Sequence, residues 1–420
     1  MFDPNASAVI VEEENQSSYM KGVPVPEDKW IDGNSIAWAL DHDQSLWGLQ
    51  NVSKIITTEA VSRKSAPVVH LPHSGKNILE QEFKNSQTGS SSLLKKLLKD
   101  MRVDGFIVLK DGKIVTEAYY NGYRPEKRHH MFSVTKSLVG TLAGIMVHEG
   151  KIDPTLPVSH YLPELKEKSG IGDATVRQAL DMTASLVWDM NHGDPMSNVQ
   201  LNSRAGGMEY ISADFPYANT LSLLQSTEKK DEHGKVYSYT PANTEVLGWI
   251  ISRLSNKNWQ EVFSEKIWSK LGTEHDALVV VDRGGHGFAT AGLNATLRDM
   301  ARFGLMIAQN GYYNDQQIVP SDWIDDIRRC DEDTRNAWKK SEEYNTFGKD
   351  AFYRNQFRVL DGEKGIMLAL GAKGQMVYTD SSQNLVAVYQ STVPMNEKKM
   401  ATSSQINLLE QITQYLSTEC

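Results

Sequence analysis

The stretch Met131-Phe-Ser-Val-Thr-Lys-Ser-Leu138 joins a polar, irregular segment to a strongly apolar helical run that continues to Met146. Within it, Ser133 and Lys136 are three residues apart, so at the start of a helix they lie on one face, one turn from each other. The lysine can take the proton of the serine hydroxyl if burial lowers the pKa of its amine. The backbone N–H of Ser133 belongs to the first helical turn, where it can hold an oxyanion. The stretch therefore predicts a serine nucleophile, its base and half of an oxyanion hole.

The same spacing, Ser-x-x-Lys, occurs three more times in the chain, at Ser18, Ser92 and Ser226. Ser18 lies in an acidic N-terminal arm, Ser92 precedes an amphipathic helix with lysines on its polar face, and Ser226 stands in a charged run. Only Lys136 enters a nearly charge-free helix, where a lysine side chain must be either a neutral amine or a paired ammonium. The non-catalytic alternative for Ser133 and Lys136 is a helix cap followed by a lysine that extends to solvent.

The composition is that of an ordinary globular protein, large enough for one domain or two intertwined ones, with 420 residues, 40% hydrophobic and 23% charged. The formal charge is −9 and no basic stripe stands out, which argues against nucleic acid or a membrane as partner. No apolar run reaches about 18 residues, and the N-terminus lacks signal-peptide features. Because Cys330 and Cys420 are far apart, we expect no structural disulfide and a cytoplasmic location.

Periodicity divides the chain into three parts. Residues 1–90 show little periodicity but hold three tryptophans, which predicts an extended arm packed on the body. Strand patterns in 91–160 and 277–420 predict one sheet domain built from both parts of the chain, and 161–276 reads as an inserted all-helical domain. The fold class is therefore α+β, an antiparallel sheet flanked by helices.

The clearest local signal is the hairpin turn Asp111-Gly112, flanked by two strand-like segments. The glycine at position 150 predicts the end of the helix that starts near Ser133. Further helices are expected at 176–182, 220–226, 244–254, 259–271, 297–309, 321–328 and 406–416, and strands at 278–281, 365–369, 375–379 and 385–390.

Two further segments can complete the chemistry. Tyr239 lies in a loop before a helix, and a phenol that shares its proton with a lysine can act as base and then as acid. Alternatively, Tyr239 is a buried loop residue; Asn243 is predicted to be the N-cap of the helix that follows. Gly371 and Ala372 lie at the end of a strand, where small residues allow the backbone to approach a substrate. The non-catalytic alternative for Gly371 and Ala372 is a glycine-rich bend of the strand.

In this order, Ser133-x-x-Lys136, Tyr239 and a glycine-containing strand resemble the penicillin-recognising serine hydrolases, which include class C β-lactamases, D-alanyl-D-alanine carboxypeptidases and related esterases. Longer segments are similar to the 6-aminohexanoate-dimer (nylon-oligomer) hydrolases over about residues 100 to 415. These segments are Met131-Phe-Ser-Val-Thr-Lys-Ser-Leu138, Glu149-Gly-Lys-Ile-Asp-Pro154, Val158-x-x-Tyr-Leu-Pro-Glu-Leu165, Ala242-Asn-Thr-Glu-Val-Leu247 and Arg298-Asp-Met-Ala-Arg302.

The resemblance implies a β-lactamase-like fold and a role for each residue of the site. Ser133 would be the acylated nucleophile, Lys136 its proton partner and Tyr239 the general base and acid. The backbone N–H groups of Ser133 and Ala372 would form the oxyanion hole. A small-molecule amide or ester would give an acyl-enzyme that water hydrolyses, and no metal or organic cofactor is expected.

The chain departs from the family pattern mainly around the substrate. Pro241 replaces the asparagine of the Tyr-x-Asn motif of the lactamases. The lysine of the lactamases' Lys-Thr-Gly motif is also missing from the strand that ends at Gly371. Lys373, two residues further along the same strand face, is the candidate to replace that cation. By alignment with the nylon-dimer hydrolases, His192, Ser203 and Arg358 are also candidate substrate-binding residues. Gly371 is a further candidate.

The absence of several motifs argues against other classes of enzyme. No second histidine follows His148-Glu149 at metal-ligand spacing, and neither a P-loop nor a Gly-x-Ser-x-Gly elbow occurs. His129 and His130 are expected to be solvated in the approach to Ser133. The favoured function is a 6-aminohexanoate-dimer hydrolase-like amidase with carboxylesterase activity.

Two alternatives remain for the function. The first is a β-lactamase or D-alanyl-D-alanine carboxypeptidase, against which the missing Lys-Thr-Gly lysine and signal peptide argue. The second is a penicillin-binding-like receptor that becomes acylated without turnover. The sequence leaves the oligomeric state open, with a homodimer as one option.

Overall fold

An eight-stranded sheet is the framework of the fold, and the hairpin predicted at Asp111-Gly112 forms part of it. The computed structural model describes residues 8–11 and 16–418, so Cys420 lies outside the described residues. In spatial order the strands are Val9–Ile10, Lys113–Tyr119, Val103–Lys110, Leu385–Ser391, Gln375–Asp380, Ile366–Gly371, Phe357–Asp361 and Phe352–Arg354.

The strand order joins both parts of the chain, as the sequence predicts. Leu385–Ser391 pairs antiparallel with Val103–Lys110, with Ala387 opposite Val108. All neighbouring pairs in this sheet are antiparallel except the edge strand Val9–Ile10, which runs parallel to its neighbour. The sheet is therefore mixed at one edge rather than purely antiparallel.

Both faces of the sheet are covered by helices. Along Val103–Lys110, Phe106 belongs to one apolar cluster and Ile107 to another, as the two-residue period of a strand requires. The first cluster includes side chains of the C-terminal helix Lys398–Thr418. The second includes side chains of Val134–His148, which we call the central helix. The central helix is therefore held between the sheet and the rest of the core.

The other described helices follow the predicted pattern, with some additions. They are Ala37–Leu40, His42–Gly48, Leu94–Asp100, Val158–Tyr161, Val176–Leu180, Asn198–Ala205, Thr220–Leu224, Ala242–Ser255, Trp259–Lys266, Leu297–Ala308, Ser321–Arg328, Glu332–Lys339 and Tyr344–Phe347. No described helix combines the length and the apolar character that a membrane span requires.

A second, four-stranded antiparallel sheet borders the central helix. Its strands in order are Thr58–Val61, Ala277–Val280, Leu293–Ala295 and His129–His130. The expectation that both histidines are solvated is wrong, because this strand is buried. The ring of His129 contacts the Asp104 carboxylate at 2.9 Å, and that of His130 contacts Asn294 at 3.0 Å.

The helices between residues 161 and 276 share their apolar core with the central helix. Val246 and Leu247 of the helix Ala242–Ser255 belong to the same buried cluster as Leu138. The predicted capping role of Asn243 is wrong, because the helix begins at Ala242, two residues earlier than predicted, and its N-cap is Pro241. The division into domains 1–90, 91–160 plus 277–420, and 161–276 stays a prediction.

The described part of the N-terminal arm contains short helices and packs on the body. Trp38 is fully buried, and its indole N–H donates a hydrogen bond of 3.0 Å to the backbone carbonyl of Met208. Trp30, in contrast, is largely exposed. The arm thus covers the region that follows the helix Asn198–Ala205.

Gly144 lets the central helix lie against the indole of Trp323. A Cβ atom at position 144 would be 2.2 Å from that ring, which is closer than any real contact. The helix Ser321–Arg328, which carries Trp323, therefore depends on the absence of a side chain at this position.

We expect Gly144→Ala to lower the free energy of unfolding by about 1–3 kcal/mol, because the indole must move. The loss is expected although alanine is favoured over glycine within a helix by about 1 kcal/mol. Urea denaturation measures the change, and the same substitution in a Trp323→Leu background is the control. Equal losses in both backgrounds would show that the contact with Trp323 is not the cause.

Candidate active site

Ser133 and Lys136 meet at the start of the central helix, as the sequence predicts. Ser133 directly precedes the helix, and the residue before it, Phe132, has a φ of 46°. The Nζ atom of Lys136 lies 3.0 Å from Ser133 Oγ and donates to the backbone carbonyl of Thr290 at 2.9 Å. The lysine side chain is 2% exposed, whereas Ser133 is half-buried and lines a cavity.

Burial lowers the pKa of Lys136 from 10.5 to about 7. The Glu245 carboxylate opposes this change by favouring the ammonium, and the Arg358 guanidinium adds to it. Near neutral pH the lysine is therefore present as amine and as ammonium in comparable amounts. An amine at hydrogen-bond distance from a serine hydroxyl can accept its proton.

Glu245 is a component of the site that the sequence analysis missed. Its carboxylate is fully buried and accepts hydrogen bonds from the Thr290 N–H at 2.8 Å and the Thr220 hydroxyl at 3.0 Å. Burial raises the pKa of Glu245 to about 7. Thr290 thus contacts Glu245 through its N–H and Lys136 through its carbonyl. Glu245 is the one ionisable residue in the first two turns of Ala242–Ser255, and this was the signal that could have revealed it.

Two basic side chains lie against the ring of Tyr239. The Nζ atom of Lys136 is 5.1 Å from the centre of the phenol ring, and the Arg358 guanidinium is 4.9 Å from it. Tyr239 is half-buried and lines the same cavity as Ser133. The three predicted catalytic side chains are therefore neighbours around one cavity.

Arg358 occupies a different place from the one expected. It does not line the cavity; its guanidinium donates to both carboxylate oxygens of Glu343, at 2.7 and 2.6 Å, and packs on the Tyr239 ring. Arg358 therefore supports the ring of Tyr239 from behind, and the prediction that it contacts substrate directly is corrected. Glu343, which holds the guanidinium, was not identified from the sequence.

The end of the strand Ile366–Gly371 approaches the segment before Ser133. A Cβ atom on Gly371 would lie 2.3 Å from the backbone carbonyl of Met131, so only glycine allows this contact. Gly371 packs against backbone and does not line the cavity, which corrects its predicted place in the substrate shell. Ala372 lines the cavity together with Ser133, where the predicted second oxyanion donor is needed.

Lys373 does not lie on the strand face that the sequence analysis assumed. The strand ends at Gly371, and Lys373 has a φ of 58° in the turn Ala372–Gly374. Its ammonium donates to the backbone carbonyl of Leu40 at 3.1 Å, and burial lowers its pKa to about 8. Because Lys373 is not among the residues that line the cavity, the proposed replacement of the missing cation is wrong.

His192 and Ser203 both line the cavity, and their roles toward substrate stay predictions. The Ser203 hydroxyl donates to the Val199 carbonyl at 2.9 Å. Asn202, which the sequence analysis missed, also lines the cavity and is 1% exposed. Its Oδ1 atom accepts no hydrogen bond from the described residues. Within residues 8–11 and 16–418, no group of His, Cys, Asp or Glu side chains is arranged to hold a metal ion.

Comparison with known proteins identifies the family of the chain. The family described as Beta-lactamase matches residues 91–408 of the chain. The chain belongs to this family. Its predicted α+β fold with helices flanking the sheet is confirmed, and it is a hydrolase of the β-lactamase fold.

Two relatives carry the same name. A 6-aminohexanoate-dimer hydrolase from Paenarthrobacter ureafaciens is 31% identical over 353 residues, which are 83% of this chain and 85% of that protein. A solved structure from Bacillus anthracis, provisionally named a 6-aminohexanoate-dimer hydrolase, has a TM-score of 0.83 and 28% identity. That comparison covers 94% of this chain and 98% of the other. The resemblance to this group is therefore confirmed.

A more distant structure shares the fold. EstCE1, a hydrolase with promiscuous acyltransferase activity, has a TM-score of 0.57 at 14% identity, over 74% of this chain and 95% of its own. The N-terminal 90 residues precede the part of the chain that matches the family.

We expect Glu245→Gln to move the acidic limb of the kcat/KM profile to lower pH. The carboxylate favours the ammonium form of Lys136, so its removal lowers the pKa of the lysine. A base with a lower pKa stays deprotonated to lower pH, and activity then persists further into the acidic range. The profile is measured with p-nitrophenyl butyrate.

Glu149→Gln is the matched control, because Glu149 pairs with Lys266 and Lys151 at the other end of the central helix. Its profile is expected to equal that of the wild type. An unchanged acidic limb in a folded Glu245→Gln protein would contradict the coupling between Glu245 and Lys136.

Proposed function

We propose that the chain is a serine hydrolase that cleaves a linear amide or ester through an acyl-enzyme on Ser133. The observation that carries this proposal is the buried Lys136 amine, with a pKa of about 7, located 3.0 Å from the serine hydroxyl. A surface lysine would remain an ammonium at neutral pH and could not take the proton.

The first half of the reaction forms the acyl-enzyme. The neutral Lys136 amine donates to Thr290 and receives the Ser133 proton while Oγ attacks the substrate carbonyl carbon. The backbone N–H groups of Ser133 and Ala372 hold the resulting oxyanion. When the tetrahedral intermediate collapses, the bond to the leaving nitrogen or oxygen breaks, and Tyr239 supplies the proton that this atom takes.

The second half returns the enzyme to its starting state. A water molecule attacks the acyl carbonyl, and the Tyr239 phenolate left by the first half accepts one of its protons. The ester bond to Ser133 then breaks, a carboxylic acid leaves, and the Lys136 ammonium returns the proton to the serine oxygen. Since both halves use attack on a carbonyl carbon, amides and esters can follow the same route.

The relatives support a 6-aminohexanoate-dimer hydrolase-like activity, and carboxylesterase activity beside it is part of our proposal. Both relatives named above carry that activity in their names, and they align over most of the chain. A β-lactamase or carboxypeptidase is less favoured, because Lys373, which would have replaced the missing lysine, donates to the backbone carbonyl of Leu40 and does not line the cavity.

We expect Ser133→Ala to abolish hydrolysis of p-nitrophenyl butyrate, while Ser92→Ala and Ser226→Ala retain wild-type rates. The two controls remove serines of the same Ser-x-x-Lys pattern that lie outside the cavity. A fluorophosphonate adduct located by peptide mapping should lie on Ser133. An adduct elsewhere would refute the assignment of the nucleophile.

Substrate comparison separates the alternatives in the same assay. Rapid turnover of nitrocefin without ester activity would identify a β-lactamase. Stoichiometric acylation without turnover would identify a receptor-like protein. Turnover of the linear 6-aminohexanoate dimer or of p-nitrophenyl butyrate is the result that supports the proposal.

We expect Tyr239→Phe to reduce kcat by about 10²–10⁴, which is the usual contribution of an acid–base group. The ring keeps its position between Lys136 and Arg358, so the substitution removes the hydroxyl with little change in packing. Steady-state kinetics on an ester and an amide measure the loss. Full activity of this variant would show that another group transfers the proton.

A further inference from the structure

We propose that residues 36–40, which we call the arm segment, form one wall of the substrate cavity and limit the acyl groups that the enzyme accepts. This inference rests on the proposed function, because it assigns specificity-determining residues to that same site. The arm segment comprises Ile36 and the helix Ala37–Leu40. It precedes residues 91–408, which match the family, so it adds to the site from outside that part of the chain.

Two apolar side chains of the arm segment line the cavity. Ile36 and Leu40 are among its lining residues, together with Ser133 and Ala372. Because they are four residues apart at a helix, Ile36 and Leu40 lie on the same face, one turn from each other. Both are partly exposed, whereas Trp38 is fully buried. The arm segment therefore presents one apolar face to the cavity and packs on the body through another.

Hydrogen bonds hold the arm segment at both ends. At its start, the backbone N–H of Ile36 donates to the Glu209 carboxylate at 2.8 Å. At its end, the backbone carbonyl of Leu40 accepts a hydrogen bond of 3.1 Å from the buried Lys373 ammonium. Lys373 directly follows Ala372, so this bond joins the arm segment to the turn that carries the predicted oxyanion donor. The wall is therefore held in place relative to the reacting carbonyl.

Aromatic packing connects the arm segment to the residue before the nucleophile. The ring of Trp38 is 5.5 Å from that of His130, which is 4.4 Å from the ring of Phe132, and both contacts are edge-on. Burial lowers the pKa of His130 to about 3, so its ring is neutral and packs as an aromatic. Phe132 lines the cavity, as does Met208, whose carbonyl accepts the indole hydrogen bond. A continuous group of packed side chains thus runs from the arm segment to the cavity.

The arm segment and Tyr239 belong to different sides of the cavity. Ile36 packs against the apolar cluster that contains Phe132, whereas Tyr239 packs against the cluster of the central helix. In the proposed reaction Tyr239 supplies the proton of the leaving atom, so the leaving group lies on its side. The acyl chain, which is bonded to the other side of the carbonyl carbon, is then directed toward Ile36 and Leu40.

Substitutions that add or remove bulk at Leu40 test the proposal. The substrates are p-nitrophenyl acetate, hexanoate and octanoate, which differ only in the length of the acyl chain. We expect Leu40→Trp to lower kcat/KM for the hexanoate relative to the acetate by about 10-fold or more, because the indole takes the space of the longer chain. Leu40→Ala should raise the value for the octanoate relative to the hexanoate by about 10-fold, because it enlarges the cavity. Unchanged ratios in both variants, including an equal loss for all esters, would overturn the proposal.

Ala37→Leu is the matched control. It adds a side chain to the same short helix at a position that does not line the cavity, so its ratios should equal those of the wild type. Ratios altered as much as in Leu40→Trp would show that bulk anywhere on this helix has the same effect, which would contradict a specific wall at Leu40.

Alkyl acetates test which part of the substrate meets the arm segment. Ethyl acetate and hexyl acetate differ in the alcohol rather than in the acyl group, and titration of the released acid at constant pH follows their hydrolysis. Leu40→Trp should leave the ratio of their kcat/KM values equal to that of the wild type. A shift of this ratio without a shift in the p-nitrophenyl series would place the leaving group against the arm segment and contradict the proposal.

The same assays distinguish failure of the two proposals. Absence of Ser133-dependent turnover with every ester, including p-nitrophenyl butyrate, would reject the proposed function. Ser133-dependent turnover with unchanged ratios in the Leu40 variants would reject only the inference about the arm segment.

Discussion

The burial of one lysine amine against one serine hydroxyl is the interaction on which the rest of this site depends. Lys136 reaches Ser133 because both lie on the first turn of a helix that is almost free of charge. Removal of water lowers the pKa of the amine to about 7, and the carbonyl of Thr290 supplies the hydrogen bond that water would otherwise make. Glu245, which accepts a hydrogen bond from the Thr290 N–H, limits this change. The helix, Thr290 and the buried carboxylate together set how readily the lysine gives up its proton.

The fold holds this arrangement through close contacts between backbone segments. Phe132 adopts a positive φ immediately before Ser133, and the strand end at Gly371 lies against the carbonyl of Met131. Arg358, which is buried, forms an ion pair with the partly exposed Glu343 behind the Tyr239 ring. Such a pair is costly to break, because removal of one partner leaves an unpaired charge in the interior. The charges around the site are thus held by protein partners, and apolar residues form most of the wall of the cavity in front of Ser133.

Local chemistry explains which features could be predicted from the sequence. The central helix, the hairpin at Asp111-Gly112 and the pair Ser133 and Lys136 follow from periodicity, turn residues and spacing within a few positions. Features that depend on tertiary pairing could not be predicted in this way. The two-residue strand His129–His130 is buried because it pairs with Leu293–Ala295, which is distant in sequence. Likewise Lys373 leaves the strand face because the chain turns after Gly371, and Glu245 meets Thr290 only in the folded protein.

The protonation state of Lys136 can be measured directly. In protein labelled with ¹³C at the lysine Cε, the Lys136 signal is assigned by its loss in a Lys136→Met variant and followed by NMR as a function of pH. The structure predicts a midpoint near 7, well below that of the exposed lysines. A midpoint near 10 would show an ordinary ammonium at neutral pH, which cannot serve as the base for Ser133.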